Sequence, residues 1–506
     1  MLNLTPVIHP WFVRKCRTVR GCIFKPDIRR TQMDVLRRLL RTARHTQYGQ
    51  TYGFGLIADY DDFKNRVPVA EYPDIRPMVE KMLYGEKDIL WPGRCTSFAQ
   101  SSGTSDGKSK YIPVTADSLR HNHYAGAACS VAFYLDAVPD SKLFGGKCFI
   151  LGGSFANEVK GLPRDVHVGD LSATLIDKIN PAVNLLRVPD KHTALMADWN
   201  EKLPALIKSS INQNITNISG VPSWFLTVLK KVIEAAGAST IHDVWPNLEV
   251  FFHGGISFVP YREQYRRITD PSRMHYLENY NASEGFFAAQ DSFDISAMRL
   301  LLNIGVFYEF VPLDQVGQKF PDALAAWEVE KGKTYALVIT SCNGLWRYAI
   351  GDTVTIESTE PLRITIAGRT KCFINAFGEE LMVHNADNAI MAACRATGAQ
   401  VKDYTAGPVF SSDNERAHHR WLFEWTVAPN SIEQFASELD KALQSENSDY
   451  QAKRSGDIFL AAPQVITVPP NTFDRWLEST GKLGGQRKVP RLTNTPSLTE
   501  DILRLV

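Results

Sequence analysis

The chain has 506 residues, 44% of them hydrophobic, and its 56 Lys and Arg residues against 55 Asp and Glu residues leave a formal net charge of +1. This balance, without a long run of either sign, gives no electrostatic support for binding nucleic acid or a membrane surface. Pro6, His9, Pro10 and Arg14 interrupt the apolar core that a signal peptide needs, and no later segment approaches the roughly 18 apolar residues of a membrane-spanning helix.

Length and cysteine usage narrow the class further. A chain of this length predicts roughly two to four domains with a large buried core. The eight cysteines include no C-x-x-C pair and no metal-like cluster with histidine, so we expect reduced and mostly buried thiols. These features predict a cytoplasmic protein that folds without disulfide bonds, and they leave its oligomeric state open.

The first two thirds of the chain alternate between helical patterns and short buried strands. Apolar residues at helical spacing predict helices, and short apolar runs that stop at glycine predict strands. The predicted helices span residues 30–48, 75–83, 116–135 and 194–236, the last broken near Gly220. The predicted strands span residues 147–153, 250–252, 306–313, 335–341 and 344–356. Helices that alternate with short buried strands indicate an α/β fold.

The pattern changes at Gly368, where a turn-rich stretch begins. Beyond it the sequence predicts a compact α+β tail. Its helices are predicted near residues 382–397 and 431–446, and its strands near 404–410, 420–427 and 458–468. We therefore expect a large N-terminal α/β domain of mixed β-sheets and packed helices, residues 1–368, and a small α+β C-terminal domain, residues 369–506.

The most distinctive stretch is a Ser, Gly and Lys-rich loop in residues 97–115, SFAQSSGTSDGKSKYIPVT. Glycine frees backbone N–H groups, small hydroxyls approach closely and lysine supplies charge, which together suit a phosphate chain. The loop is not a Walker loop, because it has one residue too few between Gly103 and Gly107. Its candidate contacts are Ser101, Ser102, Gly103, Thr104, Ser105 and Lys110, with Lys108 as a weaker candidate. The alternative is a solvated turn between two strands.

Three later stretches carry further candidates. The strand at 250–252 ends in HGG, and the paired glycines Gly254 and Gly255 allow a ligand to press against bare backbone. A polar cluster between apolar flanks consists of Tyr280, Asn281, Ser283, Glu284 and Gly285. The strand at 344–356 breaks at a Gly-Asp pair, which predicts an exposed Asp352 carboxylate at a strand end or turn.

Taken in order, SSGTSDGKSK, WPNLEVFFHGG, YNASEG, WRYAIGD and QRKVPR resemble the signature stretches of the Gretchen Hagen family of acyl-acid amido synthetases, a branch of the adenylate-forming superfamily. The family's nucleotide motifs are an SSGTS-type loop, a Tyr-x-x-Ser-Glu element and a Tyr-Arg-x-Gly-Asp element, and this chain varies the third around its arginine. The similarity covers nearly the whole chain, and loops such as FGEEL resemble bacterial members.

The resemblance implies a two-step reaction that consumes Mg-ATP. A carboxylic acid attacks the α-phosphate to give an acyl-adenylate and pyrophosphate, and an amino acid then displaces AMP to form an amide. The resemblance also implies that the C-terminal domain reorients between the steps, with a pivot at residues 369–372. The acyl acid is expected near residues 121–135, 220–226 and 256–262.

The resemblance also implies roles for single residues. The Ser/Gly loop would hold the β- and γ-phosphates, and Lys110 would neutralise the departing pyrophosphate. Gly254 and Gly255 would lie against the adenine, with Tyr280 stacked on its other face. The alternative for Tyr280 is packing in the core.

The remaining site residues complete the nucleotide set. Glu284 would coordinate Mg²⁺, and its alternative is a carboxylate at a helix start. Asp352 would accept hydrogen bonds from both ribose hydroxyls. Lys488 would contact the α-phosphate, or else be one more basic residue of an exposed tail. Asn281 and Ser283 belong to the same nucleotide-binding element, whereas Arg347 is expected to form a structural ion pair.

Two other functions stay open on the sequence. The chain would also suit an acyl-adenylate former that passes the acyl group to coenzyme A, or a non-catalytic nucleotide-binding homologue. The carboxylic acid and the acceptor are not identified by the sequence either.

Overall fold

The computed structural model describes residues 3–20, 27–101, 110–155, 159, 161–256, 258, 261–369, 373–379, 381–412, 416–479 and 489–506. They form two compact units, one with the described residues up to 369 and one with those from 373 onward. Of the predicted pivot at 369–372, residues 370–372 lie outside the described residues. Within the described ranges, no helix has the length and apolar character needed to cross a bilayer.

The first unit combines helices with mixed β-sheets, as the α/β prediction requires. Its helices are α1 (Thr5–Arg20), α2 (Ile28–Ala43), α3 (Gln47–Thr51), α4 (Tyr60–Arg66), α5 (Tyr72–Leu83), α6 (Ala116–Ser118), α7 (Tyr124–Ala137), α8 (Leu171–Lys178), α9 (Pro181–Asn184), α10 (Lys191–Ala194), α11 (Trp199–Ser210), α12 (Pro222–Ala236), α13 (Ile241–Val244) and α14 (Arg262–Ile268). Its strands are β1 (Ser97–Ser101), β2 (Lys110–Pro113), β3 (Lys147–Ile150), β4 (His167–Gly169), β5 (Arg187–Val188), β6 (Ile215–Gly220), β7 (Val250–Gly254), β8 (His275–Ala282), β9 (Gly285–Ala289), β10 (Met298–Leu300), β11 (Val306–Pro312), β12 (Leu324–Ala325), β13 (Thr334–Ser341), β14 (Tyr348–Thr359) and β15 (Leu362–Arg369).

One large sheet organises this unit. Twelve of the described strands form it in the order β12-β11-β13-β14-β15-β10-β9-β8-β7-β6-β3-β5. Neighbours are antiparallel from β12 to β8 and parallel from β8 to β5. A smaller sheet pairs β1 antiparallel with β2 and parallel with β4. The carboxyl ends of parallel strands are where α/β sheets bind ligands, so the ends of β7 and β8 are the natural place for a site.

The main core lies between the antiparallel half of the large sheet and the first helices. Leu36 of α2 and Phe307 of β11 are buried in one apolar cluster. Trp346, only 1% exposed, stacks on Tyr48 and Trp91 with ring centroids 6.2 and 6.1 Å away. Helix α2 begins where it does because the side chain of its N-terminal capping residue accepts a hydrogen bond from a first-turn N–H.

Helix α7 lies antiparallel along β8. Tyr134, late in the helix, packs 5.8 Å from the ring of His275 at the start of β8. Earlier in the helix, Ser130 donates a hydrogen bond of 2.6 Å to the side-chain oxygen of Asn279. Earlier still, a Cβ added to Gly126 would lie 2.4 Å from an aromatic ring of β9. The glycine therefore permits the close approach that fixes the β8–β9 hairpin.

The second unit is α+β, as predicted. Its elements are β16 (Phe373–Ile374), β17 (Leu381–Met382), α15 (Val383–Thr397), β18 (Gln400–Val409), β19 (His418–Val427), α16 (Ile432–Glu446), α17 (Ser448–Arg454), β20 (Gln464–Thr467), α18 (Thr472–Ser479) and α19 (Ser497–Leu503). Strand β19 pairs antiparallel with β18 and parallel with β20. Inside the unit, His419 and Glu379 form a fully buried pair with 2.8 Å between the ring nitrogen and the carboxylate.

Most predicted elements are confirmed, but one prediction is wrong. Helices α11 and α12 lie on either side of the predicted break near Gly220, but β6 occupies residues 215–220 between them, where a helix was predicted. Strand β6 is paired on both sides, with β3 and β7. Those pairings outweigh the polar Asn and Ser residues that make its sequence a poor strand former. The described cysteines are free thiols, as expected, and they are Cys16, Cys95, Cys129, Cys148, Cys342 and Cys394.

Candidate active site

The Ser/Gly loop leaves β1 and enters β2, which pair as a hairpin with Ser101 opposite Lys110. Lys110 is half-buried, and the next residue, Tyr111, donates its N–H to the Tyr72 hydroxyl at 2.7 Å. Several predicted contacts lie outside the described residues, namely Ser102, Gly103, Thr104, Ser105, the weaker Lys108 and, in the tail, Lys488. The structure therefore places the two ends of the loop, and the phosphate contacts stay a prediction.

Two glycines end β7 where its carboxyl end meets β8. A Cβ on Gly254 would lie 2.3 Å from the backbone oxygen of Asn279 and 3.0 Å from the side-chain oxygen of Asn281. Gly255 has a φ of +85°, which side-chain-bearing residues rarely adopt. Close packing thus requires Gly254, and the positive φ favours glycine at 255. They leave bare backbone beside the exposed Asn281, and their contact with adenine stays a prediction.

The structure brings Tyr280 and Asp352 into direct contact. The Tyr280 hydroxyl donates to Asp352 Oδ2 at 2.5 Å, and the two residues are 4% and 8% exposed. The ring of Tyr280 also packs 5.0 Å from Phe287 within the main core, so the core-packing alternative is met in part. Three strands separate β8 from β14 in the sheet order, so the sheet curves to bring these residues together.

The predicted exposure of Asp352 is wrong. The residue lies inside β14, opposite Arg369 of β15. The preceding Gly351 has a φ of +91°, and the pairing of β14 with β13 shifts register there. The glycine therefore produces a bulge within a continuous strand instead of a turn that ends it. Burial of the carboxylate depends on Tyr280, which no local pattern around residue 352 indicates.

Ser283 and Glu284 form the two-residue turn between β8 and β9, so the alternative of a helix start for Glu284 is wrong. Glu284 is 8% exposed, and its backbone oxygen accepts a hydrogen bond of 3.1 Å from the side chain of Asn343. Asn122, just before α7, bonds both backbone groups of Phe286 at 2.7 and 2.9 Å. The carboxylate at 284 thus sits on a braced hairpin.

Arg347 forms the structural ion pair expected of it. Its guanidinium lies 2.8 Å from the Glu309 carboxylate, and both side chains are fully buried. The same guanidinium donates to the backbone oxygens of Lys64 and Val67 at 2.7 and 2.8 Å. These bonds tie β14 and β11 to the end of α4, and they explain the arginine without a ligand.

Two titratable residues near the site were missed by the sequence reasoning, His253 of β7 and Glu278 of β8. Burial, with a smaller contribution from the nearby positive charge of Arg262, lowers the pKa of His253 to about 3. Burial raises the pKa of Glu278 to about 7, against the opposing effect of the same arginine. Tyr276, Glu278 and Tyr280 occupy every second position, which places them on one face of a β-strand. This spacing was the available signal that Glu278 shares a buried face with two tyrosines.

The described residues can bind a metal ion only together with a bound ligand that supplies further oxygen atoms. Within the described ranges, no group of three or more His, Cys, Asp or Glu side chains is arranged to hold a metal ion. Glu284 supplies one carboxylate, and Mg²⁺ commonly takes one or two carboxylates with the remaining oxygens from substrate phosphates and water. The residues therefore fit Mg²⁺ that arrives with a phosphate chain, and they do not fit a resident metal.

The fold is shared with two solved enzymes. It is similar to a solved structure described as AtGH3.15 acyl acid amido synthetase in complex with 2,4-DB, with a TM-score of 0.63 at 17% identity over 99% of this chain and 97% of that one. It is also similar to 2-hydroxyisobutyryl-CoA ligase in complex with 2-HIB-AMP and CoA, with a TM-score of 0.59 at 14% identity over 95% and 93% of the two chains.

The chain belongs to the GH3 family, the Gretchen Hagen family that its motifs resemble. The model of the GH3 family N-terminal domain matches residues 24–163 and 159–274. The model of the central domain matches residues 299–369, and that of the C-terminal domain matches residues 384–497. Indole-3-acetic acid-amido synthetase GH3.8 of Oryza sativa subsp. indica is 23% identical over 93% of this chain and 89% of its own length. Jasmonoyl-L-amino acid synthetase GH3.5 of Oryza sativa subsp. japonica is 23% identical over 92% and 93%.

Proposed function

We propose that this chain is an ATP-dependent acyl-acid amido synthetase. It activates a carboxylic acid as an acyl-adenylate with release of pyrophosphate, and it then joins the acyl group to an amino acid as an amide. Membership of the GH3 family supports the reaction class. The observation that carries the nucleotide site is the buried Tyr280–Asp352 hydrogen bond beside the glycine-ended strand β7, because it holds a carboxylate at the ligand-binding edge of the sheet.

Each described residue has a role in this proposal. Asp352 accepts hydrogen bonds from the two ribose hydroxyls, while Tyr280 holds its second oxygen in place and lines the adenine. Gly254 and Gly255 give the base access to bare backbone. Glu284 binds Mg²⁺ together with phosphate oxygens, and that ion neutralises charge on the phosphates when it is bound.

Further parts of the proposal rest in part on residues outside the described ranges. The loop residues 101–105 with Lys110 hold the departing pyrophosphate, and Lys488 contacts the α-phosphate as the adenylate forms. Residues 1–368 form the adenylation domain and residues 369–506 a C-terminal domain that reorients between the two steps. The separation of the described residues into two units between 369 and 373 supports this boundary. The described free thiols support a cytoplasmic location.

The first experiment is ATP–pyrophosphate exchange by the purified protein with Mg²⁺, over a panel of aryl, indole-type and fatty carboxylic acids. We expect exchange that depends on one class of acid. Amino acids should then accelerate breakdown of the adenylate more than coenzyme A does, and the reverse order would favour the thioester-forming alternative. No exchange with any acid, in protein that binds ATP, would refute the synthetase and favour a nucleotide-binding homologue.

Two isosteric variants test the site residues. Glu284→Gln should lose Mg²⁺-dependent exchange, and Asp352→Asn should weaken ATP binding in isothermal titration calorimetry. Asp440→Asn is the matched control, because Asp440 also is a buried aspartate that accepts from a tyrosine hydroxyl, that of Tyr450 at 2.8 Å in the second unit. Unchanged exchange and ATP binding in both site variants would refute the assignment.

A further inference from the structure

A solvent-open cavity of about 270 Å³ lies between helices α1, α2 and α7 of the first unit. Its walls come from the second half of α1, the middle of α2, the start of α7 and the connection between β10 and β11. None of the described residues assigned to the nucleotide lines it, and neither do the described residues of 220–226 and 256–262, where part of the acyl acid is expected. The cavity is therefore separate from the site of the proposed reaction.

The rim of the cavity carries positive charge. Lys15 and Arg38 reach it from two different helices, and within the described ranges neither side chain has a carboxylate partner or a hydrogen bond. His121 is a third basic group on the rim, with the Asp117 carboxylate 3.8 Å from its ring. No acidic residue is among the described residues that line the cavity. Two cations are thus left without a counter-charge.

These cations belong to a strongly basic segment of the chain. Residues 14–44 contain 11 of the 56 Lys and Arg residues but only 2 of the 55 Asp and Glu residues, whereas the whole chain is nearly neutral. One of the two acids, Asp34, already pairs with Arg37 at 3.5 Å. A concave surface lined by charge of one sign concentrates the electric field on ions of the opposite sign. The cavity therefore favours an anion.

The floor of the cavity is apolar. Cys129 and Ile304 belong to one buried cluster, against which Val19 and Ala125 pack. Burial raises the pKa of the Cys129 thiol, and the positive charge of Lys15 opposes that rise, so the ammonium group lies close to the floor. Binding pockets typically combine an apolar lining with a few polar groups that orient the ligand. An apolar floor below a cationic rim suits an anion with a hydrocarbon part.

A π-helical turn brings His121 to the cavity. The turn spans Leu119–His123, immediately before α7. Such turns are rare and occur frequently at functional sites. Asn122, within the turn, donates a hydrogen bond of 3.1 Å to the backbone oxygen of Ile304 on the floor. The turn and the floor are therefore held together, which fixes the shape of this part of the cavity.

We propose that this cavity is a second ligand site, which binds a small organic carboxylate by its charge and its hydrocarbon part together. Arg38 binds the carboxylate through paired N–H donors, and Lys15 adds a point charge. The hydrocarbon part lies on Val19, Ala125 and Ile304. The acid bound there is not activated, because no described residue of the proposed nucleotide site lines the cavity.

The test compares calorimetric titrations with hexanoate, its neutral counterpart hexanamide and inorganic phosphate. The wild type should bind hexanoate about 10-fold more tightly than hexanamide, and Arg38→Gln or Lys15→Gln should remove about 10-fold in hexanoate affinity, as expected for one hydrogen bond to a charged group at an open rim. Hydrogen exchange in peptides of α1 should slow at saturating hexanoate, which locates the ligand in this cavity. Hexanoate bound at the site of the reaction would not depend on Arg38.

The matched control is Arg37→Gln, the same change at the neighbouring exposed arginine of α2, which pairs with Asp34 and does not line the cavity. It should leave hexanoate binding unchanged. Equal affinity for hexanoate and hexanamide, or full hexanoate affinity in both Arg38→Gln and Lys15→Gln, would overturn the inference. Phosphate that binds as tightly as hexanoate would also overturn it, since the apolar floor would then contribute nothing. The synthetase proposal is decided separately, by ATP–pyrophosphate exchange.

Discussion

The raised pKa of Glu278 predicts a specific pH dependence of stability. Because burial raises the pKa of this carboxyl from 4.5 to about 7, the folded protein holds a proton there that the unfolded chain has released. The stability contributed by the neutral carboxyl is present in full below pH 4.5. It is lost as the pH rises toward 7, since the folded state must then bury a negative charge. Glu278→Gln removes the titrating proton and should remove this loss.

The structure sets the size of the effect. At about 1.36 kcal/mol per pKa unit, the rise from 4.5 to about 7 corresponds to about 3 kcal/mol, most of which, about 2.5 kcal/mol, is lost between pH 5 and pH 8. The groups nearby are Arg262, whose charge opposes the rise, and His253, whose pKa of about 3 keeps it neutral throughout this range. In the folded protein neither changes charge between pH 5 and pH 8, and the titration of His253 in the unfolded chain is the same for wild type and variant.

The assay compares wild type and variant by urea unfolding at pH 5 and pH 8. Hydrogen exchange of peptides from β7 and β8 follows the transition, so that the unfolding measured is that of the first unit. Glu278→Gln should gain about 2.5 kcal/mol relative to wild type between the two pH values. Glu263→Gln, at an exposed glutamate of α14, controls for the loss of a negative charge. A difference that stays constant across pH would refute a buried, titrating Glu278.

Three further substitutions test the packing that supports the site. Arg347→Met should lower the unfolding free energy of the first unit by about 3–5 kcal/mol, because it leaves the Glu309 carboxylate buried and uncompensated. Adding Glu309→Gln should restore part of that loss. A loss below about 1 kcal/mol in the single variant would contradict this account. Gly126→Ala should cost about 1–3 kcal/mol, since its Cβ would meet the Phe286 ring at 2.4 Å, and the melting temperature reports it. Gly254→Ala should weaken ATP binding measured by calorimetry because its Cβ would displace the β8 backbone, and unchanged affinity would argue against a site at this strand end.

The sequence predicted the fold class and the stretches that form the site, because composition and motif order are local. The glycines that end β7 and the polar cluster at 280–285 do lie at the carboxyl edge of the large sheet. The predictions that failed concern features that depend on residues far away in the chain. A Gly-Asp pair predicts a turn, yet Asp352 is buried because Tyr280 is folded against it from another part of the sheet.

The other failures have the same physical origin. The segment that forms β6 contains Asn217 and Ser219, which are poor strand formers. Its own sequence does not predict that β3 and β7 pair with its two edges. His253 and Glu278 lie side by side only through the register of β7 and β8, two strands that are separated in the chain by α14. A histidine followed by two glycines is typical of a strand end, and only the paired structure shows that the ring of His253 is buried against Phe258.

The hydrogen bond between Tyr280 and Asp352 also sets the earliest moment of synthesis at which this part of the proposed nucleotide site can form. The two residues are 72 positions apart, so at about 5–20 residues per second Tyr280 precedes Asp352 out of the ribosome by roughly 4 to 14 seconds. During that interval β10 has β9 on one side and still lacks β15 on the other, which leaves a sheet edge open to other chains. A nascent chain therefore passes through a stage in which one half of the proposed nucleotide site has been made and an edge of its sheet is still unpaired.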